Sequence, residues 1–104
     1  MRAKKLLITY DIDLDFKIIN AVEFGNRERI SITSLRNHIE IHSSRLEEHI
    51  HNLVRWNMLK DKKPEKNGKA RIISFARDSY SDCMVELMKL KESIDFVNDH
   101  LVAK

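Results

Sequence analysis

Turn-forming residues are nearly missing from this sequence: two glycines and one proline serve 104 residues. That is too few for an all-β chain built on tight turns, so a mainly helical domain with a minor β component, of the α+β class, is expected. A single cysteine, Cys83, excludes an intramolecular disulfide and fits a reducing compartment. Long apolar runs are also wanting. The run from Leu6 lasts only about five residues before Asp11 interrupts it, short of the roughly 7–15 of a secretory signal, and nothing approaches the ~20 of a membrane span. A cytoplasmic location with no membrane partner is therefore expected. Catalytic apparatus is missing too: the sequence contains no nucleophile elbow, phosphate-binding glycine loop, HExxH or paired-carboxylate motif, so a binding protein without a cofactor is expected and not an enzyme. The row Asp11, Asp13, Asp15 matches only the first three positions of a calcium loop. His38 and His42 are four apart, but His42 falls at a turn, and His49 and His51 project from different faces, so no metal site is expected either.

What the chain does have is charge, unevenly spread. Charged residues are 34% and hydrophobic ones 42%, with a net charge of +3. From Leu59 to Arg77 seven Lys or Arg face two acids, a net +5; from Asp78 to Lys104 three face six, a net −3. A short, strongly basic segment in a near-neutral chain reads as a contact surface for a polyanion. The length allows one domain, and one of this size is marginal alone, which favours a dimer.

Periodicity orders the elements. Ile8 to Phe16 alternate apolar and polar, which favours an extended arm over Leu6–Asp11, and a first helix is expected over Asp13–Phe24, with Gly25-Asn26 stopping it through positive-φ residues. Ile30-Ser31-Ile32 is a short apolar alternation. Thr33 is the expected N-cap of a second helix, Ser34 to about Ile41, and His42-Ser43 the turn after it. Ser44 and Glu47 have capping-box form for a third helix, Arg45–Trp56, whose apolar stripe is Leu46, Ile50, Leu53 and Val54. Asn57 suits the left-handed cap beyond it. A strand over Met58–Lys62, an Asn-Gly turn over Pro64–Lys69 and a returning strand over Arg71–Phe75 make a basic hairpin, and Asp78 or Ser79 caps a long last helix.

Two helices joined by a short turn, with a hairpin directly after the second, suit a groove of double-stranded DNA, the helix entering the major groove and the hairpin reaching flanking phosphates. From Ile30 to Tyr80 this order, with Leu53-Val54-Arg55-Trp56-Asn57-Met58-Leu59 leading into a charged wing, resembles the winged helix-turn-helix domain of MarR-type transcription regulators. Asn57 stands where those regulators usually have glycine, and the wing lacks their usual Asp-x-Arg. The resemblance implies a transcription regulator acting as a homodimer, organised as an arm (1–12), a winged-helix core (13–77) and a C-terminal dimerisation helix (78–104).

On the third helix the face opposite the apolar stripe carries Arg45, Glu48, His51, Asn52 and Arg55, with Ser43 and Ser44 at its N-terminus. Arg45 and Asn52 are the candidate base readers, for guanine and adenine. Glu47 and Glu48 count against phosphate approach unless they are paired. In the wing, Lys62, Lys63, Lys66, Lys69 and Arg71 are the candidate phosphate contacts. Cys83, Leu87, Leu90, Ile94, Val97 and Leu101 are spaced 4-3-4-3-4, a seam for a partner helix from a second copy, with Phe16 and Ile19 available to join it. Cys83 is expected to act there as a small hydrophobe and Trp56 to cover the core edge. The alternative is a winged helix that binds protein and not DNA.

Overall fold

The computed structural model describes residues 10–25, 27, 29–62, 71–76 and 80–102, with backbone only for 101 and 102. Among them lie four helices and three strands: α1 (Ile12–Glu23), β1 (Arg29–Ser31), α2 (Ile32–His38), α3 (Ser43–Arg55), β2 (Leu59–Lys62), β3 (Ile72–Phe75) and α4 (Tyr80–Val102). The chain is mainly helical with a small antiparallel sheet, as the scarcity of turn residues implies. The sheet runs β1-β3-β2, with Ile30 opposite Ile73 and Leu59 opposite Phe75. No helix among the described residues is long and apolar enough to cross a membrane.

The core collects the inward stripes of the helices and one face of the sheet: Ile18, Ile19 and Val22 of α1, Leu35 of α2, Leu46, Ile50 and Leu53 of α3, Leu59 and Ile73 of the sheet, and Cys83 and Leu87 of α4 are all buried. Burying such side chains contributes roughly 1.5–3 kcal/mol each before conformational entropy is set against it.

Several helix ends differ from the sequence expectation by a residue or more, each for a local reason. The cap of α1 is Asp11, whose carboxylate accepts from the Leu14 amide. Ser31 caps α2, not Thr33, because the chain is still extended at Ser31 and its hydroxyl reaches the Ser34 amide. α2 then ends at His38, since Ile39 turns back to an extended conformation in order to bury its side chain. The Ser44–Glu47 capping box does not form. His42 caps α3, its Nδ1 accepting from the Ser44 amide, while Glu47 turns aside to two arginines.

After α1, Arg27 is left-handed, with φ 57°, Asn26 lies outside the described residues, and Gly25 serves a different need. A Cβ on Gly25 would stand 2.2 Å from the Arg29 carbonyl oxygen, so glycine is required there for close approach of two backbones. Asn57, by contrast, does adopt φ 61° as its residue type suggests. It forms a full Schellman cap: the Asn57 amide donates to the Val54 carbonyl and the Met58 amide to that of Leu53, with Met58 and Leu53 both buried. This cap turns the chain from α3 into β2 without a loop, which sets the antiparallel pair beside α3.

The helical seam of α4 meets its own domain first. Cys83 and Leu87 are fully buried, Ile94 nearly so and Leu90 half-buried, whereas Val97 is exposed and the side chain of Leu101 lies outside the described residues. α1 packs against α4, with the Tyr80 hydroxyl donating to Asn20 at 2.6 Å. The proximal seam is thus filled within the chain, because α4 must cover the open side of a core that is otherwise too thin. Ile19, available on sequence grounds to join an intermolecular face, is likewise fully buried.

Candidate nucleic-acid interface

At 100° per residue, Leu46, His49, Ile50 and Leu53 point α3 inward and Ser44, Glu48, His51 and Arg55 form its exposed centre. Ser43 is exposed at the first turn. Arg45 and Asn52 stand on one flank of that centre and Glu47 on the other. Each flank is braced by a different part of the chain.

The hairpin-side brace is ionic. Arg71, immediately before β3, donates from Nη1 and Nη2 to the two carboxylate oxygens of Glu47 at 2.6 and 2.8 Å, and from Nε and Nη2 to those of Asp61 on β2 at 2.8 and 2.6 Å. Arg36 of α2 adds a longer contact to Glu47, 3.3 Å. The paired carboxylates, Asp61 foremost, raise the Arg71 pKa further, and Arg71 in turn lowers that of Glu47. This fork-to-fork geometry is what a planar guanidinium provides and a lysine does not. Arg71 is accordingly a structural tie and not a free phosphate contact. It also neutralises Glu47, one of the two acids that weighed against an anionic partner. Lys62 is exposed at the end of β2, while Lys63, Lys66 and Lys69 lie outside the described residues.

The opposite brace is buried and was not foreseen from the sequence. Asp15 of α1 has no exposure, and its Oδ1 lies 2.8 Å from Nδ1 of His49 on α3. With Asp15 ionised, only a protonated Nδ1 satisfies that contact. The Tyr10 hydroxyl donates to the other oxygen at 2.6 Å, and the Tyr10 ring stacks on His49 with centroids 4.7 Å apart, its edge towards Trp56. Burial pushes the Asp15 carboxyl above the ordinary range, while the bonds from Tyr10 and His49 pull it back. Burial, then the bond to Asp15, raises the Tyr10 hydroxyl. One signal could have pointed to this cluster: Asp15 falls on the buried stripe of α1 with Ile18, Ile19 and Val22, where a carboxylate needs partners. Of its partners Tyr10 lies five residues away but His49 comes from 34 residues away, and nothing local marks that pairing.

Of the two candidate base readers, Asn52 touches this second brace and Arg45 touches Asp11 next to it. Arg45 donates from Nη2 to Asp11 at 2.6 Å, and the Asn52 amide makes a long, 3.5 Å contact to the Tyr10 hydroxyl. Of the candidate set, α3 therefore brings together Ser43, Ser44, Glu48, His51 and Arg55 as an exposed strip, with Arg45 and Asn52 at its margin. No group of three His, Cys, Asp or Glu side chains among the described residues is placed to hold a metal ion. Comparison with known proteins adds no relative: no family model matches this chain, and neither a curated protein nor a solved structure does.

Proposed function

We propose that the chain is a winged helix-turn-helix protein of MarR-like type that binds double-stranded DNA as a homodimer in the cytoplasm and regulates transcription. α2 and α3 are the helix-turn-helix, α3 enters the major groove, and the basic segment 60–71 lies along the phosphates. The observation that carries this reading is the Arg71 tie. By binding Glu47 and Asp61 together it fastens the turn-side end of the β2–β3 pair to the first turns of α3, which supports a reading in which helix and basic segment address one polyanion.

The second copy joins through α4, with the contact moved away from Cys83 and Leu87. Among the described residues, Val85, Met88, Phe96 and Val97 are the large apolar side chains that α4 leaves in solvent. A small domain gains most from covering them.

Fluorescence-anisotropy titration of a labelled duplex at 50 and 200 mM salt tests the assignment. Binding through wing and helix cations loses on the order of 10³-fold in affinity across that range. Replacing Lys66 and Lys69 by Glu weakens binding to every duplex alike, whereas replacing Asn52 relaxes base preference. Glu48, exposed at the centre of the α3 strip, favours the protein-binding alternative. That alternative stands if salt and the lysine reversals leave duplex retardation unaltered. Light scattering reports the dimer, and Phe96→Ser is expected to shift it to monomer.

A further inference from the structure

Arg45 differs from the other exposed cations of α3 in having a carboxylate already fixed against it. Its guanidinium is half-exposed, yet Nη2 sits 2.6 Å from Oδ2 of Asp11. The other oxygen of Asp11 accepts the Leu14 amide at 3.3 Å as the N-cap of α1. The residue before it, Tyr10, is locked by its bond to Asp15 and its stack on His49. Asp11 is thus held from both sides of the chain, and swinging away from Arg45 costs it the side-chain cap of α1.

We propose that Asp11 is the positioning residue for Arg45, presenting the free edge of its guanidinium to a guanine on the side of α3 away from the basic hairpin. The inference rests on the DNA-binding reading above and adds to it the residue that makes one contact specific. An exposed arginine samples many rotamers, and immobilising it on a base costs affinity in proportion. A carboxylate pinned elsewhere removes part of that cost in advance. It takes one of the five N–H donors and leaves the rest for the O6 and N7 acceptors of guanine. The same contact could be read as a gate in which Asp11 competes with DNA. A gate must release, however, and the double use of the Asp11 carboxylate opposes release. Exposed ion pairs are usually weak because both side chains are mobile; here only one is.

Asp11→Ser tests this in the full chain, because serine keeps the α1 cap but does not reach Arg45. A duplex is first selected by the wild type from a randomised pool, and then titrated together with its single-base variants and a random-sequence duplex. Asp11→Ser is expected to lose about tenfold on the selected duplex and its preference at one G·C pair, with the random duplex scarcely affected. Arg45→Ala shows the same pattern, and the double variant is no worse than Arg45→Ala alone. Unaltered base preference in Asp11→Ser, or tighter binding to all duplexes, overturns the proposal, the latter in favour of a gate. Nitrogen-15 relaxation at the Arg45 Nε of the free protein separates the two layers: the side chain should be ordered in the wild type and mobile in Asp11→Ser. Equal mobility in both overturns the positioning role even if DNA is bound. Failure of the wild type to bind any duplex removes the guanine assignment together with the DNA reading.

Discussion

On one flank of α3 an aspartate and a histidine meet out of reach of water; on the other, an arginine joins two carboxylates that water still reaches. Both contacts tie distant parts of the chain to the same helix, yet they draw on opposite physics. The Asp15–His49–Tyr10 cluster is strong because its centre is dry: each Asp15 oxygen has its own partner, and loss of the carboxylate strands His49 where no water replaces it. The Arg71 bridge is strong because it is bidentate and charged, and water and salt moderate what its loss costs. The buried brace fixes α1 against α3, whereas the solvated brace fastens α3 to the β2–β3 pair.

The largest loss of stability is expected at Asp15. Asp15→Ala leaves the Tyr10 hydroxyl and His49 Nδ1 unpaired in the core, and should cost about 3 kcal/mol and lower Tm by roughly 10–20 °C. Urea unfolding followed by the fluorescence of the single tryptophan, Trp56, measures it; a loss no larger than that of Asp15→Asn would show the cluster to be idle. Arg71→Ala comes next. It leaves Glu47 with only its longer contact to Arg36 and takes the arginine from Asp61, and water reaches both carboxylates, so about 1–2 kcal/mol is expected, and the difference from wild type should shrink in 0.5 M salt while that of Asp15→Ala does not.

Acid sharpens the contrast by sign. Arg71 lowers the Glu47 pKa from 4.5, so this pair contributes stability above that value and loses it as pH falls through the folded pKa. Burial raises Asp15 above 3.8, so its ionisation opposes folding at neutral pH, and that opposition is relieved as pH falls from the raised value towards 3.8. Stability curves of Glu47→Gln and Asp15→Asn against pH should therefore depart from the wild type in opposite directions on acidification. The smallest effect belongs to Lys62→Ala. It is exposed and tied to neither brace, so stability should stay within about 0.5 kcal/mol while duplex affinity falls a few-fold, as paired unfolding and anisotropy titrations would report.

Much of this molecule follows from local chemistry. The inward stripe Leu46, Ile50, Leu53 imposes a helix with one buried face, Asn57 tolerates the left-handed turn that ends it, and the alternations around Ile30 and Ile73 fit short strands. These are effects of neighbours three or four residues apart, which is why they can be read along the chain. Helix starts were harder, since Ser31, Thr33 and Ser34 can all cap, as can Ser43 and Ser44, and which one does so depends on where the incoming strand or turn delivers the backbone.

Tertiary structure alone decided the rest. The 4-3-4-3 spacing of α4 specifies an apolar face but not whose surface covers it; α1 covers its proximal half because the core is open there. Glu47, read locally as a cap and a liability, becomes half of an ion pair because Arg71 arrives from 24 residues away. Asp15 and His49 find each other across 34 residues. Charge and hydrogen-bonding capacity are written in the residue, but the partner that satisfies them is chosen by the path of the chain through space.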